Sequence, residues 1–287
     1  MQPQVLAYGV LNGIGIGMIY FILSVGLTMI FGLMRFVNFA HGAFYMVAAY
    51  SAFAIAQWTG SVLPALVIGP LLAAAIALVS ERVLLQRTYD LPHESQILIT
   101  FALAIMAQEV VIMIFGTLGK NVPVPDALGG IVFIGGFVYP AYRLFVVAVA
   151  ALVALAMWIA IEWTRLGAIV RAAAESSEMV NLLGIDSRKV FMAAFAFGGA
   201  LAGLAGALAA PLRGVEPLMG REALAVAFVV VILGGLGSFS GALVAALLIG
   251  ITQSVMSMIW PAGAHLMIYG VMTMILAFRP TGLMGRS

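Results

Sequence analysis

Residues 223–260 read ALAVAFVVVILGGLGSFSGALVAALLIGITQSVMSMIW, with no charged side chain anywhere in the run. As one helix this would be about 57 Å long at 1.5 Å per residue, too long for a single crossing of a ~30 Å hydrocarbon core. Its middle, Gly234-Gly235-Leu236-Gly237-Ser238-Phe239-Ser240-Gly241, should break a helix, because three of the first four residues carry no Cβ. The stretch therefore divides into a short piece, 223–236, and a full span, 239–260. The short piece has the length of a discontinuous or re-entrant helix.

Working outward, further apolar runs sit at 8–33, 39–57, 62–80, 95–116, 144–163, 190–211 and 265–279. In lipid every backbone polar group has to be paired within the protein, so runs of this length are helices, not the short alternating strands of a barrel. The fold class is an all-α, polytopic membrane helix bundle of eight to nine membrane segments, forming one domain over 1–287. Composition excludes the soluble alternatives. Of 287 residues 64% are hydrophobic and 8% charged, against about 25% charged in a water-soluble domain. A net charge of +2 gives no reason to expect nucleic acid. The chain has no cysteine, hence no disulfide, thiolate metal site or thiol nucleophile. Residues 1–34 hold no charge and a long apolar run, so the first segment reads as a retained helix and not a cleaved signal.

Orientation follows the Lys and Arg count. With loop 164–190 inside, nine positives fall inside (Arg35, Arg82, Arg87, Arg165, Arg171, Arg188, Lys189, Arg279, Arg286) and four outside (Lys120, Arg143, Arg213, Arg221). Treating 223–260 as one span flips the tail and reduces the contrast to seven against six. The split reading puts the N-terminus outside and the C-terminus inside. The long outside loop, 117–143, contains the apolar run Ile131–Tyr139 interrupted by Gly135-Gly136. It is too short to span and fits a surface lid or a short hairpin.

Loop 164–190, TRLGAIVRAAAESSEMVNLLGIDSRK within it, is too polar to span. Yet Ile169, Ala172, Ala173, Met179, Val180 and Leu183 recur at helical spacing. This predicts one amphipathic helix over 167–185 with cationic flanks at the cytoplasmic face, and Asp186 or Ser187 capping the next span. The helix either rests on headgroups or docks a cytoplasmic partner. Gly9, Gly13 and Gly17 lie four apart in the first span, as do Gly199 and Gly203 later, a spacing that lets helix backbones approach in lipid.

Three segments carry a resemblance. The run Glu178-Met179-Val180-Asn181-Leu182-Leu183-Gly184 looks like the E-x-x-x-x-x-G core of the cytoplasmic coupling loop in ABC-transporter permeases. Gly26-Leu27-Thr28-Met29-Ile30-Phe31-Gly32, followed by Val37-Asn38-Phe39-Ala40-His41-Gly42, and then Val231–Ser238 complete the pattern. In this order they resemble the LivH-type permease of bacterial branched-chain amino acid ABC importers, over nearly the whole chain. The resemblance implies a multi-pass subunit of the bacterial inner membrane with four sets of contacts. These are a second, LivM-like permease, two cytoplasmic ABC ATPases, a substrate-binding protein outside, and membrane lipid. It implies coupling residues Glu175, Glu178, Leu182, Leu183 and Gly184. It implies no cofactor on this chain, with ATP and magnesium held by the ATPases. The chain has no G-x-x-x-x-G-K-[ST] phosphate loop, in keeping with that division of labour.

Candidate substrate-path residues are Asn38, His41, Glu109, Gly235 and Gly237. Glu109 sits inside the fourth span, where a charge costs at least about 2.5–3.5 kcal/mol and should face protein or water. It is either a path residue or a hydrogen-bonding lock between helices. Asn38 and His41 occupy the break between the first two spans, as a polar constriction or as helix caps. The Gly-interrupted segments 32–42 and 234–241 match the broken helices that mark substrate paths in transporters. His93 and His265 read as solvated, no metal-ligand spacing occurs, and no nucleophile–base pair stands out. A permease for urea or another small amide, a self-sufficient secondary transporter, and a membrane-embedded enzyme are the competing classes.

Overall fold

The computed structural model describes residues 3–89, 91–134 and 137–285. The expectations for Gly135-Gly136 and Arg286 lie outside the described residues. In chain order the helices are α1 (Pro3–Met34), α2 (Ala40–Thr59), α3 (Ala65–Val83), α4 (His93–Phe115), α5 (Ala141–Trp163), α6 (Arg165–Glu175), α7 (Ser177–Leu182), α8 (Ser187–Arg213), α9 (Met219–Gly234), α10 (Phe239–Ile259) and α11 (Ala264–Phe278). A hairpin of β1 (Ile131–Ile134) and β2 (Phe137–Pro140) interrupts the series before α5, pairing Val132 with Tyr139 and Phe133 with Val138. Of the two expectations for the outside loop, lid or hairpin, the backbone forms the hairpin.

Among the described residues, seven helical stretches are long and apolar enough to cross a membrane, and the chain is a multi-pass membrane protein. Helices α2 and α9 are not among the seven, and both are enclosed by the others. At 16 residues, α9 is about 24 Å long, shorter than the ~30 Å hydrocarbon core. The chain breaks where the glycine run demands. Gly235 (φ 101°) and Gly237 (φ 79°) occupy the left-handed region, and the Ser238 hydroxyl then caps α10 by accepting from the Gly241 amide at 3.1 Å.

Glycine also decides which helices touch closely. The α1 stripe packs on α10: an added β-carbon at Gly13 would lie 2.4 Å from the Ile251 Cα, and one at Gly17 2.8 Å from the Ala246 carbonyl. Gly199 and Gly203 bring α8 onto Ala77, Ala73 and Pro70 of α3, while Gly42 of α2 meets Gly220 of α9 backbone to backbone. These are packing contacts inside one chain, the plainer of the two roles that such a stripe can play. Edge-to-face rings, Phe21 on Phe239 and Phe44 on Phe195, fill the spaces between. The core thus sits among α1, α2, α8, α9 and α10, with α3 against α8. Helix α4 leans mainly on α2, and α5 on α1.

Candidate functional site

The segment between α5 and α8 forms two short helices, not the single one that its apolar spacing predicts. Thr164 caps α6, its hydroxyl accepting from the Gly167 amide at 3.2 Å. At Ser176 the backbone is extended (φ −152°, ψ 105°), and the Ser176 hydroxyl caps α7 through the Met179 amide at 3.2 Å. A serine that can cap its own successor competes with helix continuation, which is why the run breaks there. The apolar face divides accordingly. Ala173 and Val180 are buried, but Met179, Leu182 and Leu183 project outward, Leu182 at 83% and Leu183 at 73% exposure. Gly184 (φ 82°) turns the chain, and Asp186 caps α8 by accepting from the Arg188 amide at 3.0 Å. The expected cap is present.

Glu175 and Glu178 do not join the projecting leucines. They line a polar pocket of about 470 Å³ between α6–α7 and the ends of α1, α4 and α8. Arg35, His93, Gln96 and Arg188 share its wall. Arg35 has a left-handed backbone (φ 56°) and donates to the Ala174 carbonyl at 3.3 Å, which ties the end of α1 to α6.

The path candidates fall in three different settings. Asn38 and His41 are fully buried at the start of α2. The Asn38 side-chain oxygen accepts from the Ala40 amide at 3.0 Å, and Thr100 of α4 accepts from the Phe39 amide at 3.2 Å. His41 Nε2 lies 2.9 Å from the Leu23 carbonyl of α1, so the ring bridges α1 and α2. Gly235 is buried beneath the chain's last described turn, where the Leu283 and Met284 amides donate to the Leu233 and Gly234 carbonyls at 2.8 and 3.1 Å. Those amides satisfy carbonyls that the end of α9 leaves open. Gly237 beside it is exposed. Glu109 lies on an exposed face of α4 with Ile105, Met106 and Met113, and among the described residues it has no hydrogen bond or ion pair. Beside this face an apolar cleft of about 380 Å³ opens from α4 toward α2 and α3, lined by Val47, Leu72, Met106 and Val110 among others.

Residues 9–277 match the family described as branched-chain amino acid transport system / permease component. The chain belongs to this permease family. The permease is 29% identical to the high-affinity branched-chain amino acid transport system permease protein BraD of Pseudomonas aeruginosa, over 99% of this chain and 98% of that one. It is 29% identical to LivH of Escherichia coli K12, over 96% and 94%, and 24% identical to a probable LivH of Methanocaldococcus jannaschii, over 92% and 88%. Among solved structures it is similar to PsaBC from Streptococcus pneumoniae in complex with Fab, at 15% identity, covering 93% of this chain and 89% of that one, with a TM-score of 0.48.

Two polar clusters of the permease escaped the reading of its sequence. Glu81, in the last turn of α3, is fully buried and accepts from the Tyr89 hydroxyl and from Gln86 Nε2, the latter at 3.1 Å. Burial, together with the adjacent carboxylate, pushes the Tyr89 phenol above its ordinary pKa, so it stays a proton donor. At the other end, Arg213 closes α8 and pairs with Glu222 of α9 at 3.0 Å and with Glu216 at 3.6 Å. Opposite charges flanking a short Pro- and Gly-containing turn were the available signal for the second cluster. A carboxylate followed eight residues later by tyrosine was a weaker signal for the first.

Proposed function

We propose that this chain is the translocation subunit of an ATP-binding-cassette importer for branched-chain amino acids in the bacterial inner membrane. It works beside a second, LivM-like permease, two cytoplasmic ATPases carrying ATP and magnesium, and a binding protein outside. The N-terminus is outside, the C-terminus inside, and nine membrane segments are counted when α2 and the discontinuous α9 are included. The observation that carries this reading is the projecting Leu182–Leu183 pair beside the Gly184 turn. Two large apolar side chains held in the open on a six-residue helix make little sense without a partner to bury them, since each buried leucine contributes roughly 1.5–3 kcal/mol. The ATPases are that partner, and the turn transmits their closure to α5 and α8.

The path runs along the Glu109 face of α4, shared with the second permease. A carboxylate costs too much against lipid, and Glu109 has no partner among the described residues. Between two permeases it meets water and the substrate ammonium, while the surrounding isoleucine and methionines suit an aliphatic side chain. Asn38 and His41 hold α2 against α1 and α4 behind this face, and Gly235 and Gly237 shape the break at its cytoplasmic end.

The test is the double variant Leu182→Glu, Leu183→Glu. Both positions are exposed, so the chain should insert and fold as before. Co-purification of the ATPases should be lost, and uptake into vesicles should fall more than about tenfold, the equivalent of ~1.4 kcal/mol of binding. Retained ATPase and normal uptake would remove α7 from the coupling role.

A further inference from the structure

The polar pocket beneath α6 and α7 has two walls, joined by the hydrogen bond from Arg35 to the Ala174 carbonyl. One wall is α6–α7 and supplies Glu175 and Glu178. The other is the ends of the membrane helices and supplies Arg35 and Arg188. Among the described residues these opposite charges form no ion pair across the gap, although charges so placed would attract if nothing separated them. A third feature points the same way. Gln96 is 4% exposed and lines the pocket, its Nε2 donating to the Thr88 carbonyl at 3.1 Å. Its side-chain oxygen is buried with no hydrogen-bond partner among the described residues. A buried acceptor left open costs about 1–3 kcal/mol, so it is normally matched by a donor. Leu33 and Phe191 add an apolar patch, and the volume of about 470 Å³ lies within the range of small-molecule sites.

We propose that this pocket binds a free α-amino acid from the cytoplasm, and that its occupancy stops transport. The carboxylate pairs with Arg35 and Arg188, and the ammonium with Glu175, Glu178 and the Gln96 oxygen. The side chain rests on Leu33 and Phe191. A zwitterion held this way bridges the two walls and fastens α6–α7 to α1, α4 and α8, so the coupling helices cannot carry ATPase motion into the membrane. The ligand needs only differential affinity for the fastened state to shift the balance. Import would thereby be restrained by its own product. This rests on the proposed orientation and substrate class.

The assembled importer, with its ATPases, is reconstituted into vesicles loaded with ATP alone or with ATP and unlabelled leucine. Labelled leucine and binding protein are supplied outside. Uptake into the vesicles holding only ATP tests the proposed function by itself. Leucine inside at about ten times its dissociation constant should slow initial uptake roughly tenfold, as simple occupancy requires. Gln96→Leu and Arg188→Gln should import at the normal rate into leucine-free vesicles and lose most of the slowing. Arg188 is exposed, so its variant remains informative if Gln96→Leu fails to fold. Normal uptake with no slowing by internal leucine overturns the inference while leaving the import function intact, as does equal slowing in the wild type and both variants.

Discussion

Helices α1 and α4 are about equally apolar, yet 72% of the most apolar window of α1 is buried and only 11% of that of α4. What separates them is glycine. Helix α1 carries Gly9, Gly13 and Gly17 facing α10, and α2, α3, α8, α9 and α10 all contain glycines against which a neighbouring helix closes. Neither α4 nor α5 has one. Since lipid tails are as apolar as leucine, hydropathy gives a helix no reason to leave the lipid, whereas close backbone approach does. One side of this permease is a finished core. The other, α4 and α5, is a surface that this chain leaves largely uncovered.

The largest expected effect breaks the finished side. Gly13→Leu forces a side chain into the backbone of α10, where no rotamer relieves it, and should cost about 3 kcal/mol or more, the upper end for overpacking. Thermal unfolding in detergent would register it. Gly270→Leu on α11, where nothing lies within 4 Å, should change stability by less than about 0.5 kcal/mol. Equal losses at the two sites would refute the division of the molecule into a finished and an open side.

Two carboxylates in differently packed helices, Glu81 of α3 and Glu109 of α4, extend the comparison. Glu81→Leu leaves the half-buried Tyr89 hydroxyl without its acceptor and should destabilise the chain by about 1–3 kcal/mol. Glu109→Leu should leave unfolding unchanged and abolish uptake. A thermal shift in the second variant as large as in the first would make Glu109 a structural lock. A modest effect is expected at the break: Gly237→Ala meets no neighbour and carries only the strain of the left-handed backbone, about 1–2 kcal/mol, measurable as a shift in the same unfolding experiment.

The break within 234–241, the cap at Asp186 and the hairpin were legible because each depends on local residue chemistry. The division of 164–190 at Ser176 was not, since serine sits in a helix or caps one according to its neighbours. His41 shows the other limit. Its type suggested a polar constriction, but only the approach of α1, permitted by Gly26, makes it a bridge to the Leu23 carbonyl. Glu175 and Glu178 read as one set with Leu182 and Leu183, because sequence spacing does not say that a kink will turn the carboxylates toward a pocket and the leucines away.

The most direct test of the account is the environment of α4 in the assembled importer, and a chain without cysteine makes it clean. Single variants Glu109→Cys and Leu71→Cys, the latter on an exposed face of α3, are each treated with a water-soluble thiol reagent. The cysteine at position 109 should react and be protected by transported substrate, while the one at position 71 should stay unmodified in lipid. An inert cysteine at position 109, labelled only by a lipid-soluble reagent, would contradict it.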